Sequence, residues 1–552
     1  MMNLKPAIAT NSIGHLNPTS SSGFSPLACV LLVSAVLSGC ASIQPELITA
    51  QNVATTSAGD VLKLNSVVEP LVGPLSMEDA IARAIKYNLY RQVRMMEESL
   101  ALGHLDLDRY DMLPKLVASA GYRDRDNDLI TRSRDSVTGA PSLANPYISS
   151  ARASTTNDLS FTWSLLDFGQ SYYAAKQSAD RSLIAGERRR KALHLLIQDV
   201  RTAFWRAASA QKLRSVVLAT IAEAEGALGE SRKAEAERLR NPLDALRYQR
   251  QLLENLRLLE NVDQELSSAR VELASLIHLP MSGELQVVES NQDLGTRWLD
   301  IPVDKMERLA ISRNADLRES FYNARIATDE ARRGLLRMFP GLSFNYTLQN
   351  SSDSYLINQQ WNEAGVHLSF NLLGLLAAPA QKRLGEVGET LAEKQRLATL
   401  MGVLTQVHLS RLQFANAYQQ FQRADSLWKV DRTIAEHMAN REQAQTQTRL
   451  DRISNQTSFI LSELRRYQAL AQVNTAASKL QATMGLEPLI DAHADMTVAE
   501  LAKAVGLSLR QWDAGSVFDG EGDKLEALPT PQAKKAPSPA FNAASSQPAA
   551  KS

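Results

Sequence analysis

Residues 114–169 and 340–374 carry one pattern twice: a proline, an alternating strand, a loop, a second alternating strand, then a glycine. Each copy opens a very long proline-free stretch. No proline occurs from Tyr147 to Asn241 or from Ala380 to Glu487, and residues 403–484 contain neither glycine nor proline. A helix running from Gln170 to Arg240 would extend about 100 Å at 1.5 Å per residue. The chain must therefore fold into short hairpins fused to helices far longer than a globular core accommodates.

The duplication is traceable residue by residue. Ala84, Ile85 and Asn88 recur as Ala310, Ile311 and Asn314, and Met112 and Pro114 as Met338 and Pro340, all 226 residues on. Gly169 recurs as Gly374 after 205, so the second hairpin is shorter. Leu243-Asp244 recurs as Leu450-Asp451, and Leu279 as Leu486, after 207.

In the second copy Leu342, Phe344, Tyr346 and Leu348 alternate with Ser343, Asn345, Thr347 and Gln349. Val366, Leu368, Phe370 and Leu372 alternate with His367, Ser369 and Asn371. In the first copy Leu159, Phe161, Trp163 and Leu165 alternate with Ser160, Thr162 and Ser164. Leu116 to Arg123 is a weaker version. Successive side chains of a strand point to opposite faces, so each strand has one apolar and one polar face. The polar positions are mostly small and uncharged, as on the wet side of a transmembrane barrel. Phe161, Trp163, Phe344, Tyr346 and Phe370 are the expected lipid-facing residues. A soluble antiparallel sheet packed on one side is the plainer alternative.

If the hairpins enter a membrane, four strands are too few. An open edge in lipid leaves amides unpaired, and eight-stranded barrels have filled interiors. Three chains, giving twelve strands, make the smallest hollow solution. The helices fit such a duct: Leu252, Leu256, Leu259, Val262, Leu266, Ala269, Leu273 and Leu276 recur at three and four, as do Ile453, Thr457, Ile460, Leu464, Tyr467 and Ala471. A period near 3.5 predicts left-handed coiled pairing. A structural periplasmic coiled-coil lipoprotein tether without a conducting lumen explains these helices but not the hairpins.

Local signals mark the ends. Ser76 with Asp79 and Asp304 with Glu307 predict helix N-termini, and Asn241-Pro242 breaks the first long stretch. Near the N-terminus an apolar run, LACVLLVSAVL from Leu27 to Leu37, leads into Leu37-Ser38-Gly39-Cys40. It is too short to span a bilayer and reads as a signal peptide. That tetrapeptide resembles a lipobox, which makes Cys40 the expected lipidation site. Cys29 lies inside the signal, so Cys40 is the one cysteine expected in the mature chain.

Other functions find little support. Formal net charge is +0, which gives no reason to expect nucleic acid. The eight histidines are scattered without metal-ligand spacing, and Met95-Met96 reads as helix packing. Phosphate-loop, nucleophile-elbow and dinucleotide motifs are missing from the sequence. The chain is not expected to be an enzyme or to hold a cofactor or metal.

The duplicated unit, the hairpins leading into paired long helices and the lipobox together resemble the TolC-like outer-membrane efflux and secretion family, over roughly residues 75–490. Carrying residues are Ala84 and Asn88, Pro114, Leu165-Leu166-Asp167-Phe168-Gly169, and the leucine-aspartate pairs at the tips. The resemblance implies a homotrimer: a 12-stranded β-barrel in the outer membrane, continuous with a long periplasmic α-helical barrel. It further implies docking of a periplasmic adaptor and an inner-membrane pump at the helical tips, in efflux or type I secretion. Arg240, Asp244, Arg449 and Asp451 are the expected tip contacts. The tip turns depart from the family, which commonly has glycine there.

On this reading residues 1–39 are a lipoprotein signal peptide and 40–74 an N-terminal linker. Residues 75–280 are the first efflux repeat, 281–301 an equatorial connector and 302–488 the second repeat. Residues 489–526 form an equatorial C-terminal segment, and 527–552, rich in Pro, Ala, Ser and Lys, a disordered tail.

Overall fold

The computed structural model describes residues 47–66, 68–71, 73–141, 146–237, 241–281, 285–289, 296–442, 449–486 and 496–514. Cys40, Arg240 and the expected tail lie outside them. The chain divides into two units, Met1–Val67 and Val68–Ser552. The first contributes one exposed helix, α1 (Ala50–Ser66), where the sequence suggested only a linker.

The second unit contains the duplicated architecture. Helices α2 (Met77–Tyr87) and α3 (Leu89–Tyr110) lead to strand β1 (Lys115–Arg123). A small ribbon, β2 (Ile130–Thr131) paired with β3 (Tyr147–Ile148), decorates the loop before β4 (Ser154–Ser164). Helix α4 (Leu165–Ala236) then runs for 72 residues, and α5 (Pro242–Leu276) returns. The second copy follows: α6 (Val303–Arg313), α7 (Ala315–Leu336), β5 (Gly341–Ser351), β6 (Gln360–Ser369), α8 (Ala378–Glu442) and α9 (Arg449–Thr483). Helix α10 (Val498–Asp513) follows the second copy.

The two copies make the same bonds at the same places. Asn88 ends α2 and starts α3: its side chain accepts from the Arg91 amide at 3.0 Å, while Nδ2 donates to the Leu276 carbonyl at 3.2 Å. Asn314 repeats this with the Leu317 amide at 3.0 Å and the Thr483 carbonyl at 2.8 Å. Leu276 and Thr483 are the last residues of the return helices α5 and α9. Each asparagine therefore satisfies orphan groups on two helices at once.

The return helices also stop alike. The Leu279 amide donates to the Ala274 carbonyl at 2.9 Å, and the Leu486 amide to the Gln481 carbonyl at 3.1 Å. Both stops need a left-handed residue, supplied by His278 (φ 56) and Gly485 (φ 68). The second satisfies the backbone preference and the first strains against it.

Other capping expectations divide. Ser76 and Asp79 form a full capping box, and Asn241 caps α5 with Pro242 at its start. Asp304 does not cap α6, whose start at Pro302 has no side-chain cap bond. Asp304 instead pairs with Arg308 at 3.0 Å, one turn along the helix.

The core lies where both repeats converge. Ile81 and Ile85 of α2, Val200, Phe204 and Leu213 of α4, Leu259, Leu266 and Leu273 of α5, Tyr467 of α9 and Leu509 and Trp512 of α10 form one cluster. A second gathers Trp298, Met306, Leu309, Val407, Phe414, Val473 and Leu480. Each fully buried leucine stabilises the fold by roughly 1.5–3 kcal/mol. Around this level Leu75 pairs with Val287 in a parallel bridge. Buried Arg201 donates to Ser478 at 3.1 Å and Asn474 at 2.9 Å, with Asp513 at 3.7 Å. The buried guanidinium thus ties α4 to α9 and to α10.

Between the repeats, α4 and α7 are joined by a ladder of ion pairs. Lys176 meets Asp329 at 3.6 Å, Asp180 meets Arg325, Glu187 meets Arg318 at 2.7 Å, and Lys191 meets Asp316 at 2.8 Å. Each step forward on α4 matches a step back on α7, as antiparallel packing requires. Among the described residues no helix is long and apolar enough to cross a membrane.

A Cβ at Gly485 would lie 2.2 Å from the Arg313 carbonyl oxygen. Gly485→Ala should therefore destabilise the protein by more than about 2 kcal/mol, combining clash with left-handed strain. At the equivalent position His278→Gly relieves about 1 kcal/mol of strain and should not lower the unfolding midpoint. Denaturant unfolding of the two purified variants measures both.

Candidate functional site

The four long strands form one antiparallel sheet in the order β1-β4-β5-β6. The central pairing, β4 with β5, joins the two repeats. Directly opposed residues share a face, so the register sorts every side chain. Leu116, Phe161, Tyr346 and Ala364 lie in one row across all four strands. Ala118, Leu159, Leu348 and Asn362 form the next row, and Trp163, Phe344 and Val366 another. The Trp163 and Phe344 rings stack at 6.3 Å, with Phe168 edge-on to Trp163 at 6.1 Å, both favourable aromatic geometries.

The opposite face carries the rows Lys115, Thr162, Asn345 and Gly365, then Val117, Ser160, Thr347 and Glu363, then Ser119, Asp158, Gln349 and Trp361. It is polar except for Val117, Trp361 and the side-chain-free Gly365, and Ser119 donates to Asp158 across the strands at 3.0 Å. Four of the five residues expected on the apolar face, Phe161, Trp163, Phe344 and Tyr346, thus occupy one surface of one sheet.

Phe370 does not. Strand β6 ends at Ser369, because Asn371 draws the chain into a turn: its side chain accepts from the Gly374 amide at 3.0 Å. Leu165 is likewise the first residue of α4 rather than the last of a strand. Ser164 accepts from the Asp167 amide at 3.2 Å and starts the helix there. Alternation continued past both ends, but the caps outvote it.

The sheet has two free edges within the chain, β1 and β6, so one protomer does not close a barrel. The aromatic face is substantially exposed: Phe161, Phe344 and Tyr346 are 37%, 36% and 43% accessible. An exposed aromatic surface beside unpaired strand edges marks an interaction surface, and the edges can accept further strands.

At the far end of the long helices, α4, α5 and α9 share a small core of Ala224, Ala227, Leu228, Leu252, Leu256 and Ile453. Arg449 leaves the first turn of α9 and meets Glu230 of α4 at 2.7 Å, with Glu223 at 3.8 Å. Arg452 also pairs with Glu223. The glutamates and Arg452 were not singled out from sequence, since a charge on a helix face is ordinarily just solvated. Asp244 pairs with its own helix neighbour Arg247 at 3.8 Å and both are well exposed, a contact worth little. Asp451 lies in the first turn of α9.

Higher up, Arg466 of α9 bonds Asp425 of α8 at 2.6 Å and lies 4.6 Å from the Trp428 ring centre. Burial pushes the Asp425 carboxyl up, but the Lys429 and Arg466 cations hold it below the usual carboxylate range. Glu463 is raised by burial, with Lys212 at 3.7 Å opposing the shift. Among the described residues no group of three or more His, Cys, Asp or Glu could hold a metal ion.

No family model matches the sequence, and no curated protein aligns with it significantly. The fold is more revealing. The chain is similar to the Campylobacter jejuni CmeC outer-membrane channel (TM-score 0.58, 12% identity, covering 81% of this chain and 95% of that one). It is similar also to a membrane protein from Pseudomonas aeruginosa (0.57, 15%, 76% and 92%). The Neisseria gonorrhoeae MtrE outer-membrane channel in its open state matches with a TM-score of 0.54 at 14% identity, covering 74% and 89%. The chain therefore has the TolC-like outer-membrane channel fold, as the sequence resemblance implied.

The paired glutamates predict a specific response. Arg449→Ala with Arg452→Ala should speed amide hydrogen exchange in the first turns of α9 while leaving the core around Val473 and Leu480 protected. Exposed pairs contribute only about 0.2–1 kcal/mol each, so a change reaching the core, or none at all, would contradict the assignment.

Proposed function

We propose that three copies of this chain assemble into an outer-membrane exit duct of a tripartite efflux or type I secretion system. Substrates pass passively from the periplasm, or from an inner-membrane pump, through a continuous lumen to the exterior. The observation that carries this reading is the β1-β4-β5-β6 sheet: one aromatic face, one polar face and two open edges, fused to the long helices. Three such sheets joined edge to edge give twelve strands, satisfy every edge amide and enclose water on the polar side. The outer-membrane channels that share the fold support the same assignment.

In this assembly Phe161, Trp163, Phe344 and Tyr346 face lipid, while Ser160, Thr162 and Asn345 face the lumen. Cys40 carries the lipid anchor in the outer membrane. Several acyl chains contribute about 0.8 kcal/mol per buried methylene, enough for stable attachment. The far end of α4 and the starts of α5 and α9 lie at the periplasmic entrance. There a periplasmic adaptor meets the helices, and Arg449 with its glutamate partners helps hold the entrance together. A separation of these pairs on adaptor binding would widen the opening.

Three measurements test the reading. Reconstituted into a planar bilayer, the purified complex should give discrete conductance steps, and a complex that never conducts contradicts the duct. Phe344→Arg should reduce assembled complex far more than Asn345→Arg, because arginine on a lipid face costs about 2–4 kcal/mol at mid-membrane. Equal effects would indicate a soluble sheet. Intact mass should show a mature chain beginning at Cys40 with added lipid, and an unmodified N-terminus would remove the anchor.

A further inference from the structure

The aromatic face of the sheet changes chemistry at one end. Beyond the row of Ala118, Leu159, Leu348 and Asn362 comes a row of Ala120, Asn157, Asn350 and Gln360. Asn157, Asn350 and Gln360 are directly opposed on β4, β5 and β6, and Asn362 lies two residues along β6 on the same face. All four carboxamides are exposed. Their side chains find no hydrogen-bond partner among the described residues. Strand alternation does not forecast them, because carboxamides belong on the polar face with Asn345 and Gln349.

A carboxamide carries an acceptor oxygen and two N–H donors, and placing it in hydrocarbon without partners is costly. Three abreast therefore mark the limit of the acyl layer rather than its interior. The turn between β5 and β6 and the loop carrying β2 and β3 lie beyond this row, whereas α4 and α8 leave the sheet at the other end. The apolar rows from Leu342 to Leu348 cover at most about 20 Å of strand, short of the ~25 Å apolar band of outer-membrane barrels. The remainder falls on the helix side, where Phe339, Leu372 and Leu373 are each more than half exposed. The carboxamides thus stand at the headgroup level of the outer leaflet.

The headgroup they fit follows from charge. No outward-facing residue of the four strands is charged, whereas the opposite face holds Lys115, Arg123, Asp158 and Glu363. Phosphate headgroups select arginine and lysine. Neutral groups that both donate and accept match the hydroxyls of a sugar. Tyr122, one row further out on the same face and largely exposed, adds an amphipathic ring of the kind found at membrane interfaces. We propose that Asn157, Asn350, Gln360 and Asn362 form a docking strip for the sugar headgroups of an outer-leaflet glycolipid. The proposal rests on the outer-membrane reading and adds to it a lipid class and the residues that hold it.

Lipopolysaccharide retained by the purified full-length complex, compared with retained phosphatidylglycerol, tests the strip. Asn350→Leu with Gln360→Leu leaves the apolar band intact and should cut retained lipopolysaccharide at least about five-fold, as expected for two lost hydrogen bonds. Phosphatidylglycerol should be unchanged. Asn350→Gln with Gln360→Asn keeps the carboxamides and should retain lipopolysaccharide, as should Gln349→Leu on the opposite face. Enzymatic removal of the lipopolysaccharide phosphates should leave retention by the unmodified protein intact. Full retention by the double leucine variant overturns the proposal. So does an equal loss in Gln349→Leu, or retention that disappears with the phosphates. An unmodified chain that inserts in the outer membrane yet retains no lipopolysaccharide defeats the strip alone. A chain absent from outer-membrane fractions defeats the membrane reading, and the strip with it.

Discussion

Backbone hydrogen bonding at the edges of the four-stranded sheet governs the rest of the architecture. In water, the edge amides of β1 and β6 are merely an aggregation hazard. In lipid they have no partner at all, and each unsatisfied group costs several kcal/mol. The sheet also presents a row of Leu116, Phe161, Tyr346 and Ala364 on one side and Lys115, Thr162, Asn345 and Gly365 on the other. In the proposed assembly that division sets lipid on one side and water on the other. Closure by further copies answers both demands together.

Duplication explains how so long a molecule is kept in register. Asn88 and Asn314 each bind the last carbonyl of a return helix, so hairpin and helices are clamped at equivalent levels in both halves. Where the halves differ, the differences have consequences. The first return helix stops at a strained histidine and the second at a glycine. Helix α10 follows the second copy, where its Asp513 meets Arg201 and its Leu509 joins the shared core. None of the four ion pairs named between α4 and α7 is repeated as an ion pair at the equivalent positions of α8 and α3.

Much of this was legible from residues alone. Alternation in Leu342 to Gln349 marked β5, the Asn241-Pro242 break marked the start of α5, and the recurring asparagines marked the repeat. Boundaries set by caps were not. Leu165 and Phe370 continue the alternation perfectly, but Ser164 and Asn371 bond backbone amides three residues on and end the strands. The β2–β3 ribbon has only two residues per strand, too few for a periodic signal. The partners of Arg449 were invisible because Glu223 and Glu230 sit more than two hundred positions away, on a helix whose register with α9 only the fold supplies. Trp361, on the polar face opposite Gln349, is a departure for which the strand pattern gives no reason.

The central claim is that the chain becomes a hollow, closed structure only as a trimer. Cryo-electron microscopy of the complex purified into lipid nanodiscs tests it directly. The account predicts threefold symmetry, twelve strands with β6 of each copy hydrogen-bonded to β1 of the next, and a lumen lined by Thr162 and Asn345. A closed assembly of another strand number, or a map with the aromatic rows of Phe161 and Phe344 turned inward, would contradict it.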